Sequence, residues 1–255
     1  RDWSSDVCSS DLGDDNVNFT GSLSGLTTVD LGGGANNAFT ANALSSTGTT
    51  TGTTIKSSGG GTFSVNGAAK AVFDFAGGTD SVSLSSAKDL TGALVNLGGG
   101  STTISAGTNA NANIVSTTIN GESGALTINA ANLKSSKVDM TINDSSAAGL
   151  NLNLTGALDN SKLILGSGGS TLNMDTAKNG SLITLGGGTV SLTANSLGAA
   201  SGARVTINSN TAAASSTLAN TFTVSNGLTN VDFTGNDNGN NLLVGGDIVG
   251  SKLNL

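Results

Sequence analysis

Residues Leu182–Ala194 read LITLGGGTVSLTA, and the way this stretch is built decides the fold. A short apolar run, LITLGGG, is closed by three glycines, and a second run with alternating apolar positions, TVSLTA, starts directly behind them. The same unit recurs as VDLGGG at Val29–Gly34, FDFAGG at Phe73–Gly78, LVNLGGG at Leu94–Gly100 and LILGSGG at Leu163–Gly169. Variants without the triplet lie between them: TTING around Ile119, MTIND around Ile142 and VTINS around Ile207. The last apolar residue of these runs falls at 31, 75, 97, 119, 142, 165, 185, 207 and 233, mostly 20–23 residues apart. The wide gap between Leu31 and Phe75 spans two steps, with the skipped position near Ile55.

Longer echoes support the period. GLTTVDL at Gly25–Leu31 returns as GLTNVDF at Gly227–Phe233. LKSSKVDM at Leu133–Met140 parallels LDNSKLIL at Leu158–Leu165, and GSKLNL at Gly250–Leu255 begins the same phrase again. Successive side chains of a strand point to opposite faces, so Val29 and Leu31 share one face and Asp30 takes the other. Phe73 and Phe75 flank Asp74 in the same way, and Val138 and Met140 flank Asp139. Runs of this kind are half-buried strands. The glycines behind them are expected to supply positive φ and a tight corner at little steric cost.

Two or three short strands with their corners every ~20–24 residues make one coil of a β-solenoid. One coil cannot bury its own apolar side, and stacking buries a continuous core. About ten coils at ~4.8 Å each give a rod about 50 Å long. The sequence therefore predicts an all-β parallel β-solenoid (β-helix) over 13–255, with tandem antiparallel β-sandwich modules as the alternative. Sandwich modules carry turn prolines and large aromatic core residues. This chain has no Pro, no Tyr and seven Phe in 255 residues.

Composition narrows the class further. Charged residues are only 11% of the chain, where globular proteins carry about 25%. Mean hydropathy is +0.07, which argues against a disordered, strongly charged chain. A net charge of −7 and a pI near 4.2 leave no basic surface for nucleic acid. Arg204 is the only arginine after Arg1, and the lysines are scattered. No apolar run is long enough for a transmembrane helix.

Residues 1–12, RDWSSDVCSSDL, stand apart. They hold the only Trp, Trp3, and the only Cys, Cys8, and nothing later resembles them. The stretch resembles translated sequencing-adapter DNA and is set aside as non-native. The remaining chain has no cysteine, so it offers neither a disulfide framework nor a thiolate metal site. It ends on SKLNL in mid-pattern, and truncation at both ends is expected.

One segment carries a recognisable motif. Gly235–Asp247 reads GNDNGNNLLVGGD and resembles the glycine- and aspartate-rich nonapeptides of the repeats-in-toxin family. In that register Gly239 is the third glycine, Asn241 replaces the aspartate and Leu243 is the inward apolar residue, while Gly245 and Gly246 open a second copy that fails at Ile248. The resemblance implies calcium held between coils, with Asp237, Asn241 and Asp247 as the candidate ligands. FAGGTDSVSL at Phe75–Leu84 is a shortened echo with Asp80 two residues early. No cofactor other than calcium is expected.

Over its full length the chain resembles, in composition and rhythm, the Ser/Thr/Gly/Asn-rich β-strand-repeat regions of bacterial surface-layer proteins and large secreted adhesins. That resemblance implies export, an extracellular or cell-surface location, and a structural or adhesive role. Its partners would be further copies of itself, neighbouring surface proteins or glycans. Catalysis is not expected. The absence of His removes serine triads, histidine acid–base chemistry and histidine zinc sites. Paired carboxylates would have to come from Glu122 or from Asp30, Asp74, Asp139 and Asp232, which the repeat places at equivalent outward positions as an acidic stripe. Arg204 has no Asp in its own run to complete a calcium-assisted lyase site. A threonine ladder for ice is not expected either, because TTTGTT at Thr49–Thr54 does not recur in register.

Overall fold

The computed structural model describes residues 7–8, 13–25, 27–45, 52–84, 88–107, 110–121, 124–141, 149–209, 219–235 and 239–255. Every strand pairing among them is parallel, and no α-helix occurs. The strands form a 12-stranded and an 18-stranded sheet, which together make a β-solenoid. Tandem antiparallel sandwiches are excluded by the parallel pairing.

Each coil has three sides. A short strand such as Leu94–Asn96 joins the first sheet. A glycine corner leads into a longer strand of the second sheet, here Thr102–Ala106. A shorter strand, Ile114–Val115, follows on the third side and also belongs to the second sheet. In Ser170–Lys178 and Val190–Gly198 the second and third sides are one continuous nine-residue strand. A left-handed residue then turns the chain back to the first sheet.

The core is a set of stacked apolar columns. In the first sheet Val29, Ile55, Phe73, Val95, Ile119 and Val138 stand one above another, all fully buried. Ile55 fills the skipped position that the sequence marks. The column continues through Leu163, Ile183, Ile207 and Phe233 to Leu253. A β-strand cannot bury one face alone, and this stacking satisfies each coil with the next.

The coils are less even than the repeat suggests. The step from Val29 to Ile55 is 26 residues and the next, to Phe73, is 18. Spare residues are absorbed between strands, while the inward residue stays in its column. In the coil assigned to MTIND, Val138 takes the inward place and Ile142 lies outside the described residues. The LKSSKVDM and LDNSKLIL phrases stack in register, Leu133 on Leu158 and Val138 on Leu163. The GLTTVDL and GLTNVDF echo is shifted by two: Phe233, not Val231, shares the column of Val29. Two residues is one pleat period, so each side chain keeps its face while changing its column.

The glycine corner is also governed by something other than positive φ. Gly32 and Gly78 do adopt it, at 64° and 80°. Gly100 does not, yet a Cβ there would overlap the Gly78 carbonyl, and one on Gly124 would overlap the Gly100 carbonyl. Close approach of backbones in adjacent coils is the constraint. Of residues 1–12, the backbone of Val7–Cys8 pairs with Val29 and Asp30. Trp3 lies outside the described residues.

Candidate functional site: an uncharged outer face

The long strands of the second sheet carry a tripeptide rule. They read TFS at 62–64, SVS at 81–83, TIS at 103–105, TIN at 127–129, NLN at 151–153, TLN at 171–173, SLT at 191–193 and TFT at 221–223. The middle residue points inward and is fully buried in each: Phe63, Val82, Ile104, Ile128, Leu152, Leu172, Leu192 and Phe222. Its two neighbours point outward, and the register puts them in two files that run along the stack from Asn16 and Asn18 to Asn241 and Leu243. Every outward residue in these files is Ser, Thr or Asn except Ala38 and Leu243, and none is charged.

The files repeat every ~4.8 Å along the stack and lie about 7 Å apart across it. Asn129, Asn153 and Asn173 form an amide ladder: Asn153 Nδ2 donates to Asn129 Oδ1 at 3.1 Å, and Asn173 Nδ2 to Asn153 Oδ1 at 3.0 Å. These bonds fix the side chains before any partner arrives. Each amide still has a second N–H to offer.

Charges are concentrated elsewhere. The first sheet carries Asp30, Lys56, Asp74 and Asp139 in one outward file, interrupted by Asn96 and Asn120. The expected acidic stripe is therefore not formed: Lys56 separates Asp30 from Asp74, and two amides separate Asp74 from Asp139. Asn96 Nδ2 donates to Asp74 Oδ1 at 3.3 Å, and Asn120 Nδ2 to Asn96 Oδ1 at 3.0 Å. Burial pushes the Asp139 carboxyl up, but the Thr141 hydroxyl at 2.7 Å and Lys137 Nζ at 2.9 Å more than offset it and hold it below the usual carboxylate range.

Asp232 stands in the neighbouring file because of the two-residue shift in its echo. Arg204, without an Asp in its own run, grips it with Nε at 2.8 Å from Oδ2 and Nη2 at 2.6 Å from Oδ1. That forked bond lowers the Asp232 pKa. Glu122 lies outside the described residues.

Of the calcium candidates, Asp237 lies outside the described residues. Asn241 is exposed and outward, paired with Thr221. Asp247 is exposed, and its backbone carbonyl accepts the Leu228 N–H at 2.9 Å. Among the described residues no three or more His, Cys, Asp or Glu side chains gather as a metal cluster.

The motif register is corrected at Leu243, which points outward and is 66% exposed. Leu242 stacks on Phe222 instead, with Leu242 and Val244 packed against the core. NNLLV carries two adjacent leucines, so alternation alone leaves its face open, and the packing against Phe222 decides it. The shift also makes Asn240 the inward amide, where its Oδ1 accepts from the buried Asn220 at 3.0 Å.

The polar–apolar–polar tripeptides are legible in the sequence, but TTTGTT, its densest threonine run, is not one of them. Thr53 is buried in a corner, and Thr54 sits on the first sheet. The chain matches no protein-family model, no curated protein and no solved structure. No helix among the described residues is long and apolar enough to cross a membrane.

Proposed function

We propose that this chain is a non-catalytic structural and adhesive repeat region of a bacterial surface protein, held outside the cell, whose uncharged second-sheet face lies against neutral surface glycans. The observation that supports this reading is the segregation of charge: two uncharged outward files, almost all Ser, Thr and Asn, run the length of the stack on the long strands, while Asp and Lys lie on the first sheet and, as Lys134, Asp159 and Lys178, on the third side. Such a face favours a partner that is uncharged, hydrogen-bonding and periodic. An acidic polymer would meet no cation on it. The amide ladder lowers the cost of binding, because side chains already fixed lose little further freedom.

The test is retention of the chain on insoluble neutral polysaccharides, compared with a Thr103→Lys/Thr127→Lys variant. Both positions are outward, so β-content and melting temperature should be retained while binding is lost at least tenfold. Equal retention of both proteins, or retention of neither, overturns the glycan reading. Self-association that the two lysines abolish would point to a second copy as the partner.

A further inference from the structure

Inside the glycine corner, one inward column of the second sheet runs Asn37, Gly61, Asp80, Thr102 and Leu126. Asp80 is 2% exposed, and neither carboxylate oxygen has a hydrogen-bond partner. Gly61 beneath it brings no side chain. Thr102 above it is equally buried, and its hydroxyl also lacks a partner.

Other polar members of the same column are satisfied. Asn37 Oδ1 accepts the Asp15 N–H at 3.0 Å, and Asn220 Oδ1 accepts the Val190 N–H at 2.8 Å. Asp80 and Thr102 are the exceptions, and Asp80 is the titratable one.

No charge faces it. The strands on either side, Gly60–Val65 and Thr102–Ala106, hold no ionisable residue. Across the core, Asp74 of Val72–Phe75 and Lys56 of Thr54–Ser57 both point outward. An ionised carboxylate buried without a partner or a counter-charge is costly, and the group keeps its proton instead. A neutral carboxyl can stay buried there at far lower cost, against Thr102 of the next coil.

We propose that Asp80 is a proton-operated lock in the glycine corner: neutral, it stays buried and the coils stay packed around it, and ionised, it draws water in and loosens the stack there. Burial pushes the Asp80 carboxyl from 3.8 up to about 7, while the Gly61 N–H, which faces it without closing a hydrogen bond, pulls weakly the other way. The sign follows from linkage. The folded chain holds the proton where the unfolded chain has lost it, so the stabilisation is complete below the ordinary carboxylate range and is lost as pH rises to about 7. Above that the contribution is flat. Three pH units correspond to about a thousandfold in the folding equilibrium.

The test is thermal and denaturant unfolding of the full chain from pH 4 to 9, with Asp80→Asn alongside. The wild type is expected to lose stability towards neutral pH, and the variant, neutral at every pH, to lack that component and to be the more stable above pH 7. Parallel profiles overturn the proposal. A carboxyl-carbon NMR titration of Asp80 in the wild type keeps the question open to test if the variant fails to fold. A midpoint near 7 supports the lock, and one in the ordinary carboxylate range sinks it.

Discussion

The two corners that bound the first sheet solve the same problem by different chemistry. At the glycine corner the backbones of successive coils come so close that no side chain fits: Cβ atoms on Gly78, Gly100 and Gly124 would each run into a carbonyl of the coil before. At the opposite corner the chain turns through a left-handed residue, and side chains are tolerated. Ser116, Ser135, Asn160 and Asn230 sit there with φ of 49°, 47°, 48° and 56°.

The residue after that turn does the joining. Thr117, Ser136, Ser161 and Ser181 form a buried hydroxyl column, in which Thr117 N–H donates to Ser136 Oγ at 3.1 Å and Ser136 N–H to Ser161 Oγ at 3.1 Å. Each hydroxyl in turn has a carbonyl to donate its one proton to: Ser161 Oγ lies 2.9 Å from Asp159 O and 3.0 Å from Leu133 O. One corner is closed by the absence of side chains and the other by a particular side chain. Backbone groups away from water must be paired: at the glycine corner the coils pair backbone to backbone, as Thr102 N–H does with the Ala125 carbonyl at 2.9 Å, and at the other a hydroxyl bridges them.

The contrast can be broken from either side. Gly100→Ala is expected to have the largest effect, at least about 3 kcal/mol, because the obstructing atoms are backbone and cannot swing away. Denaturant unfolding measures it, and a loss under 1 kcal/mol would refute the close-approach account.

Ser161→Ala should cost roughly 1–3 kcal/mol, since it strands the buried Ser136 N–H. Ser161→Thr keeps the hydroxyl, as Thr117 does in the same column, and is expected to recover most of that loss. Equal melting temperatures for the Ala and wild-type proteins would show that the hydroxyl column is incidental.

The smallest effect belongs to Gly92→Ala at the left-handed corner. Its φ is 60°, and an added Cβ meets only Lys70 Cγ at 3.4 Å. About 1 kcal/mol is expected, the cost of placing an ordinary residue in that conformation. The same Gly→Ala change at two corners thus separates overlap from conformational strain. If Gly92→Ala proves as damaging as Gly100→Ala, the corners do not differ in the way the geometry says.

Much of this was open to reading. The glycine runs mark one corner, the period-two runs mark the strands, and Ile55 with Gly59–Gly61 behind it fills the coil between Leu31 and Phe75. The phrases ending in SKVDM and SKLIL even stack in register, because both start from the same corner and contain the hydroxyl that closes it. The GLTNVDF echo differs from the true register by two residues, so Asp232, level with Asp30 in the repeat, stands one file away from it. The uncharged face was written in the tripeptides, but it becomes a face only when the coils are aligned. The lone position of Asp80 was hidden for the same reason, since being unpartnered depends on Gly61 and Thr102, which are remote in sequence.

By itself, the sequence determined that this chain is built of short half-buried strands in a repeating coil, and which residues face inward wherever apolar and polar residues alternate, as they do not in NNLLV. Alternation is a property of the strand alone, so it survives any error of register by two. Only the tertiary structure decided which residues stand above one another: Leu242 on Phe222, Arg204 against Asp232, Asn153 on Asn129, Thr102 over Asp80. Corner lengths vary from coil to coil, and a parallel ladder accepts any even shift. The register is therefore fixed by side-chain packing in the core and by backbone contact at the glycine corner, and neither is a local property of the chain.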